Sequence, residues 1–123
     1  MIKGLGIDIV EIRRIERNIV LYGEKFLRRI YTQAEQDYCE THHKKARPYA
    51  ARFAAKEAVV KALGTGFREG IGWQDIEILN DPLGKPQVIL SEQLAQRFDD
   101  PRILVTMSHC QEYATATAIW LDS

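Results

Sequence analysis

Residues 49–63 (YAARFAAKEAVVKAL) are the segment that most constrains how this chain can fold. The run is rich in alanine, the best helix former, and it ends at Gly64-Thr65-Gly66, which is a helix-stop signal. Placed about 100° apart on a helix, six of its residues form one continuous apolar arc: Ala54, Ala55, Ala58, Val59, Ala62 and Leu63. Because alanine is small, this arc can pack close to a sheet. The side chains predicted on the other, non-core side are Phe53, Lys56, Glu57 and Lys61.

Three shorter helices are predicted besides this long one. They run from about Val10 to Tyr22, from Thr32 to about Glu40, and from Ser91 to about Phe98. The second begins with a capping box, in which Thr32 is followed three residues later by Glu35. Gly23 is a plausible stop for the first.

The remaining apolar segments predict strands. They are residues 2–9, 75–80, 86–90, 102–108 and 113–121, and the turn at 81–84 makes the second and third of them a hairpin. The first contains two glycines, Gly4 and Gly6, which are expected to keep its backbone accessible, and it ends at Asp8. The predicted fold class is α+β, an antiparallel sheet packed by helices, in a single domain over residues 1–123.

The chain carries 17 Lys and Arg and 17 Asp and Glu, so its formal charge is zero. A neutral chain argues against a protein that binds nucleic acid through bulk electrostatics. The zero hides a split, because residues 1–65 carry thirteen basic and eight acidic side chains (+5), whereas residues 66–123 carry four and nine (−5). We therefore expect an anionic partner to meet the first half.

Length and composition exclude several classes of protein. With 123 residues, 46% hydrophobic and 28% charged, the chain is typical of a soluble globular domain and not of a disordered or membrane protein. No apolar run reaches the length of a membrane span, so a cytoplasmic location is expected. Cys39 and Cys110 form no C-x-x-C pair and are expected to be buried or idle thiols.

Asp8, Glu57 and Lys61 are the candidates for a site that holds a metal ion and a phosphate. Magnesium typically uses only one or two protein carboxylates, together with substrate phosphates and water. Lysines on the same helix could contact the phosphate oxygens. Two alternatives stay open: Glu57 and Lys61 can form a simple surface ion pair, and Asp8 at a strand end can be a turn former.

Histidines and arginines give weaker signals. His109, at the end of a predicted strand, could face a ligand or be a structural histidine, and the adjacent His42 and His43 are expected to be solvated. Several arginines in the first helical region could form a docking surface or merely a solvated helix face. The residues alone thus indicate a magnesium–phosphate site beside a basic surface, without naming a reaction.

Several motifs together resemble one known family. They are Gly4-Leu5-Gly6-Ile7-Asp8-Ile9-Val10, Arg52-Phe53-Ala54-Ala55-Lys56-Glu57-Ala58, Lys61-Ala62-Leu63-Gly64-Thr65-Gly66, Gly84-Lys85-Pro86 and Ser108-His109. Each motif alone is weak, but at this spacing and chain length they are specific. The chain resembles, nearly end to end, the holo-[acyl-carrier-protein] synthases, a family within the 4′-phosphopantetheinyl transferases.

The resemblance implies an activity and a metal. The family transfers the 4′-phosphopantetheine arm of coenzyme A to a serine of apo-acyl carrier protein, releases adenosine 3′,5′-bisphosphate, and supports fatty acid biosynthesis. By resemblance Asp8 and Glu57 hold Mg²⁺, and Lys61 joins them as a catalytic residue. The base that deprotonates the serine stays open between a coordinated water and a neutral Lys61.

The resemblance also implies sites for both substrates. The expected coenzyme A contacts are Arg52, Lys56, Lys61, Gly64, Gly66, Pro86, Ser108 and His109, with Lys44 and Arg47 as further candidates. The acyl carrier protein is acidic in this family, so its docking residues are expected to be cationic. The matching residues are Arg13, Arg14, Arg17 and Arg28, with Phe26 as an apolar anchor.

The chain resembles the short members of the superfamily, which assemble as homotrimers with active sites between subunits. The same assembly is expected here. Larger members have an acidic residue two positions after the first aspartate, where this chain has Val10. Water is therefore expected to complete the metal shell. The alternative class is a non-enzymatic module whose basic half holds RNA or another polyanion, but Tyr31, Tyr38 and Tyr49 are too few to form a base-stacking platform. Neither a nucleic acid nor a membrane is expected as a partner.

Overall fold

The structure is a computed structural model and describes residues 1–122. Its elements are β1 (Ile2–Glu11), α1 (Ile12–Tyr22), α2 (Glu24–Ile30), α3 (Gln33–Glu40), α4 (Ala46–Leu63), a 3₁₀ helix (Trp73–Asp75), β2 (Ile76–Asn80), β3 (Pro86–Leu90), α5 (Glu92–Arg97), β4 (Arg102–His109) and β5 (Tyr113–Leu121). The predicted α+β class is confirmed. No helix within residues 1–122 is long and apolar enough to cross a membrane.

Three strands form an antiparallel sheet in the order β1-β5-β4, and β2 and β3 form a separate hairpin. The central strand β5 places Ala116 opposite both Asp8 of β1 and Met107 of β4. Successive side chains of a strand point to opposite faces, so Ala114, Ala116 and Ala118 share one face. All three are buried, and α4 packs across β1, β5 and β4 on that face.

Gly4 and Gly6 let β1 approach α4 more closely than any other residue would. A Cβ atom at Gly4 would lie 2.0 Å from the carbonyl oxygen of Ala62, and one at Gly6 would lie 1.9 Å from that of Ala58. The prediction that these glycines keep the strand backbone accessible is therefore wrong. They are required because the strand lies directly against the helix backbone, next to small alanines.

Helix α4 is buried on nearly all sides, which corrects the predicted division into two faces. Arg52, Phe53 and Lys56 are as buried as the alanines, and of the four side chains assigned to the non-core side only Glu57 and Lys61 keep substantial exposure. The physical reason is that α1, α3 and β2 pack against the helix on the sides that the sheet leaves free. Helical periodicity describes a helix with one buried face, and α4 is a central helix.

Two element boundaries also differ from the prediction. Strand β1 continues to Glu11, which pairs with Tyr113 of β5, so the first helix begins at Ile12 and not at Val10. Helix α4 begins three residues early, at Ala46, since proline is tolerated in a first helical turn and Pro48 lies there. Helix α2 was not predicted, because seven residues with two buried side chains give almost no periodic signal.

The face of the three-stranded sheet that points away from α4 is apolar and uncovered in the single chain. Leu5, Ile7 and Ile9 of β1 are 64%, 65% and 66% exposed, and Leu104 and Tyr113 on the same face are also exposed. We call these five residues the open sheet face. A contiguous exposed apolar patch of this kind marks an interaction surface.

The contact between β1 and α4 predicts a large effect of one added methyl group. The Gly6→Ala variant should lower the free energy of unfolding by about 3 kcal/mol or more, because backbone must move to accept the Cβ atom. Urea denaturation measures this. Gly72→Ala is the matched control, since its Cβ would have only an ordinary contact, 3.7 Å from Asp75 Oδ2. Equal stability of the two variants would contradict the close approach.

Candidate active site

Asp8 lies inside β1, with its side chain on the face that Gly4 and Gly6 turn towards α4. The carboxylate side chain is 17% exposed, and Lys61 Nζ lies 3.0 Å from its Oδ1 atom. Lys61 also donates to the carbonyl oxygen of Ile7, at 2.9 Å. The prediction that Asp8 ends its strand is wrong, and so is the alternative that it forms a turn.

Glu57 lies half-buried on α4, one turn before Lys61. Burial raises the pKa of Glu57 and the charge of Asp8 raises it further, while Lys61 and Arg14 partly oppose this. The ion-pair partner of Lys61 is Asp8, so the lysine links α4 to β1 instead of forming a pair along its own helix. We call Asp8, Glu57 and Lys61 the carboxylate site.

The residues of the carboxylate site fit a hard divalent cation. Magnesium prefers carboxylate oxygens and often takes only one or two from the protein. The charge of Asp8 raises the pKa of Glu57, so the two carboxylates repel each other, and a bound cation would relieve this repulsion. Within residues 1–122 no three His, Cys, Asp or Glu side chains are grouped to hold a metal. A cation here would therefore share its coordination shell with a ligand such as a phosphate.

A cavity of about 580 Å³ lies between the first half of α4, the end of β4 and the β2–β3 hairpin. We call it the basic cavity, because most of its polar lining is cationic or imidazole. The residues in its lining that the family resemblance led us to expect at coenzyme A are Lys44, Arg47, Arg52, Pro86 and His109. His42 and His43 also line it, so all three histidines of the chain meet at one cavity.

Arg52 is the buried cation of the basic cavity, with 3% of its surface exposed. Its guanidinium carbon lies 4.3 Å from the centroid of the Tyr38 ring, and Nη2 lies 3.5 Å from Asn80 Oδ1. Among the described residues, Nε of Arg52 is buried without a hydrogen-bond partner. A buried charge that lacks partners is costly, so this arginine is suited to an anionic ligand.

The carboxylate site and the basic cavity lie on opposite flanks of α4. Arg52 and Lys61 are nine residues apart on the helix, which places them about half a turn out of phase. The charges that act on the pKa of Glu57 come from Asp8, Lys61 and Arg14, all outside the basic cavity. One chain therefore presents two half-sites separated by the helix itself.

Lys56 does not belong to either half-site. It is 0% exposed, its Nζ lies 2.7 Å from Glu35 Oε1, and it donates to the carbonyl oxygens of Ile30 and Trp73 at 2.6 and 3.0 Å. All three N–H groups of the ammonium are used inside the protein. The expected contact of Lys56 with coenzyme A is therefore corrected to a buried structural pair.

Ser108, Gly64 and Gly66 lie outside the basic cavity. Ser108 lies on the outer side of the sheet, opposite Thr115, and lines a smaller cavity of about 310 Å³ that His109 also borders. Gly64 caps the end of α4 with φ 84°, and Gly66 follows with φ 62°. Their contacts with coenzyme A stay predictions.

The predicted docking residues lie together on α1 and α2. We call Arg13, Arg14, Arg17, Phe26 and Arg28 the docking surface. The four arginines are exposed and Phe26 is half-buried, with its ring edge against Tyr31. The Arg14 guanidinium lies 5.6 Å from the centroid of the Phe53 ring and influences the pKa of Glu57. The docking surface therefore borders the carboxylate site.

Sequence reasoning missed Tyr38 and Asn80, which belong to the basic cavity. Asn80 Nδ2 donates to Tyr38 Oη at 3.1 Å, and both contact Arg52. No motif in this chain contains either residue, and only the fold brings them together. Their signal in the sequence is no stronger than that of any surface tyrosine or asparagine.

Comparisons with known proteins point to one superfamily. The profile of the 4′-phosphopantetheinyl transferase superfamily matches residues 4–118. A holo-[acyl-carrier-protein] synthase of Protochlamydia amoebophila is 56% identical over 120 residues, covering 98% of each chain.

Solved structures show the same fold. The holo-[acyl-carrier-protein] synthase from Neisseria meningitidis aligns with a TM-score of 0.92 at 34% identity, over 99% of this chain and 100% of that one. The Helicobacter pylori holo-[acyl-carrier-protein] synthase in complex with coenzyme A aligns with a TM-score of 0.87 at 32% identity, over 95% of this chain and 99% of that one. The matched region includes Asp8, Glu57 and Lys61, and the chain belongs to the 4′-phosphopantetheinyl transferase superfamily.

Proposed function

We propose that this protein transfers the 4′-phosphopantetheine group of coenzyme A to a serine hydroxyl of an apo-acyl carrier protein. The observation that carries the proposal is the carboxylate site, where Asp8 of β1 meets Glu57 and Lys61 of α4. The name of the Protochlamydia relative and the coenzyme A complex of the Helicobacter protein support the choice of substrates. The product would serve fatty acid biosynthesis in the cytoplasm.

The reaction requires charge neutralisation more than covalent chemistry. The serine oxygen attacks the β-phosphorus of coenzyme A, the bond from that phosphorus to the bridging oxygen breaks, and adenosine 3′,5′-bisphosphate leaves while the serine proton is released. Phosphoryl transfer depends mainly on positioning and on balancing the charge of the phosphate oxygens. Mg²⁺, when held by Asp8 and Glu57, would supply much of that balance.

Lys61 is suited to act as a cation in this reaction. Its Nζ donates to Asp8 Oδ1 and to the carbonyl oxygen of Ile7, so two acceptors hold the side chain beside the carboxylates. An ammonium has three N–H groups, so a third is left for a phosphate oxygen once these two contacts are counted among the described residues. We therefore assign Lys61 to the pyrophosphate and not to proton abstraction.

The basic cavity is suited to the nucleotide end of coenzyme A. The 3′-phosphate is an anion that needs cationic partners, and Lys44, Arg47 and Arg52 line this cavity. Arg52 is the strongest single support, because it lines this cavity and its Nη2 lies 3.5 Å from Asn80 Oδ1, at the limit of a hydrogen bond. Tyr38 holds the guanidinium plane in place from one side.

One coenzyme A molecule cannot follow both half-sites of one chain without crossing α4. We therefore propose that a neighbouring subunit completes each active site, in a homotrimer like that expected from the resemblance to the short members of the superfamily. The open sheet face supports this, since three exposed aliphatic side chains on β1 alone would otherwise remain in water. Ser108 lies on this face and would then be close to a neighbouring chain.

The docking surface is suited to an acidic carrier protein. Its four arginines are exposed on α1 and α2, and complementary charge speeds the encounter of two proteins. Because Arg14 borders the carboxylate site, a carrier bound here would present its serine near Glu57. Rising ionic strength should weaken this association.

The central test is direct transfer. Incubation of the protein with coenzyme A, MgCl₂ and an apo-acyl carrier protein should add the mass of one phosphopantetheinyl group to the carrier, as read by mass spectrometry. Asp8→Asn and Glu57→Gln should each lower kcat/KM by at least about a hundredfold. Glu92→Gln, an exposed carboxylate of α5, is the control and should keep full activity. A carrier that gains no mass, with a proven carrier preparation, would leave the polyanion-binding alternative.

The electrostatics of Glu57 predict how stability depends on pH. A carboxyl whose pKa is higher in the folded than in the unfolded state adds stability at low pH, and that stability is lost as the pH rises through the folded-state pKa. In metal-free buffer, wild-type protein should therefore lose stability relative to Glu57→Gln as the pH rises above 4.5, the ordinary value for glutamate. Mg²⁺ at about a hundredfold excess over its Kd should then add about 2.7 kcal/mol to the wild type alone.

Urea denaturation with and without MgCl₂ measures both effects, with NaCl of the same ionic strength as the control. Equal stabilisation of wild type and Glu57→Gln by Mg²⁺ would remove Glu57 from the metal site.

The proposed assembly predicts that a charge on the open sheet face separates the subunits. Leu5→Glu should give monomers in light scattering and lower kcat/KM by at least about a hundredfold, although Leu5 lies on the opposite sheet face from Asp8. Leu83→Glu is the matched control for assembly and should keep the wild-type mass in light scattering, because Leu83 is 95% exposed in the β2–β3 turn. A monomeric Leu5→Glu protein with full turnover would contradict the proposal that two subunits share each active site.

A further inference from the structure

Lys56 of α4 and Glu35 of α3 form a completely buried ion pair, and the proposed reaction uses neither residue. Both side chains are 0% exposed, with 2.7 Å between Lys56 Nζ and Glu35 Oε1. The ammonium also donates to the carbonyl oxygens of Ile30, the last residue of α2, and Trp73, the first of the 3₁₀ helix. One side chain of α4 therefore fixes two other elements.

Glu35 extends this network on its other side. Its Oε1 accepts from the backbone N–H of Thr32 at 2.8 Å, and its Oε2 accepts from that of Ile78 at 2.7 Å. The pair thus connects α4 with the end of α2, the start of α3, the 3₁₀ helix and β2. Apart from the ion pair itself, all of these hydrogen bonds join a side chain of the pair to a backbone group. The pair therefore positions the main chain of the elements around it.

A second set of contacts joins α2 to the 3₁₀ helix. Gln74 Nε2 donates to the carbonyl oxygens of Arg28 and Tyr31, at 2.7 and 2.6 Å. The neighbouring Trp73 stacks on Phe53 of α4, with ring centroids 4.9 Å apart. Helix α2 and the 3₁₀ helix are therefore linked to each other, and both are held to α4, through Lys56 and through the stacking of Trp73 on Phe53.

Stability alone does not account for such a pair. Replacing a buried ion pair with apolar residues of similar volume is often neutral or stabilising, since both charges must be taken out of water. A fully hydrogen-bonded ammonium does fix orientation, because its three N–H groups require each acceptor to lie in a particular direction. Apolar packing could also hold α2 near α4, but it would define the rotation of α2 about its own axis less narrowly than these hydrogen bonds do.

We propose that the Lys56–Glu35 pair is a positioning device that holds α2 at the orientation in which the docking surface meets the acyl carrier protein. This inference rests on the proposed function. Neither residue touches a substrate, and both act through the backbone of α2 on Phe26 and Arg28. The side chains proposed to bind the phosphates of coenzyme A, Arg52 and Lys61, lie on α4 itself and make their described contacts outside the pair. We therefore expect coenzyme A recognition to change less than docking.

The test is the double variant Lys56→Met with Glu35→Gln, which removes both charges and leaves no unpaired buried ion. Its KM for apo-acyl carrier protein should rise about tenfold or more, while its KM for coenzyme A stays within about twofold of wild type. Hydrogen exchange of the amides of residues 24–30 should accelerate, while exchange in β5 stays unchanged.

Three further variants make the outcome specific. Leu94→Ala, in the buried side of α5, lowers stability without touching the pair and should leave both KM values unchanged. Arg17→Glu alters the docking surface directly and should raise the carrier KM without faster exchange in α2. Gln74→Leu removes only the exposed tie between the 3₁₀ helix and α2, and it should reproduce the KM shift to a smaller degree.

Equal changes in both KM values, or a carrier KM equal to that of wild type, would overturn the inference. If the double variant does not fold, the carrier KM of Gln74→Leu decides, and no change there counts against the pair. If wild-type protein shows no transfer at all, the proposed function fails. Exchange in α2 of the double variant then decides separately, because unchanged protection would show that the pair positions nothing.

Discussion

The close approach of β1 to α4 is the contact on which the rest of the structure depends. Without side chains at Gly4 and Gly6, the strand lies against the carbonyl oxygens of Ala62 and Ala58. The next residue on that strand face is Asp8, which is thereby brought within 3.0 Å of Lys61. A larger separation between strand and helix would move Asp8 of β1 away from Glu57 and Lys61 of α4. The glycines therefore set the geometry of the proposed metal site, although neither is proposed to touch the metal.

Helix α4 performs three tasks with three parts of its surface. Its alanines pack on the sheet, its two flanks carry the half-sites, and Lys56 holds the elements on the remaining side. Very little of the surface of this helix faces solvent. Its charged residues are therefore either buried and paired, as Lys56 is, or placed at a site, as Glu57 and Lys61 are.

Features coded by neighbouring residues were predictable from the sequence, and features created by packing were not. The capping box of Thr32 and Glu35 and the cap at Ser91 depend on residues three apart, and both were predicted correctly. The burial of Lys56 depends on α2, α3 and the 3₁₀ helix, which no periodicity within α4 reveals. Tyr38 and Asn80 are 42 residues apart and meet only in the folded chain.

The two flanks of α4 have a consequence for how copies of this chain can be arranged. A subunit that offers the metal half of a site on one flank and the nucleotide half on the other must make a head-to-tail contact with its neighbour. A pair of subunits joined by a single head-to-tail contact would leave one half of each kind unmatched. A closed ring matches every half, so in the proposed homotrimer the number of complete sites equals the number of subunits, and loss of one subunit would remove two sites together.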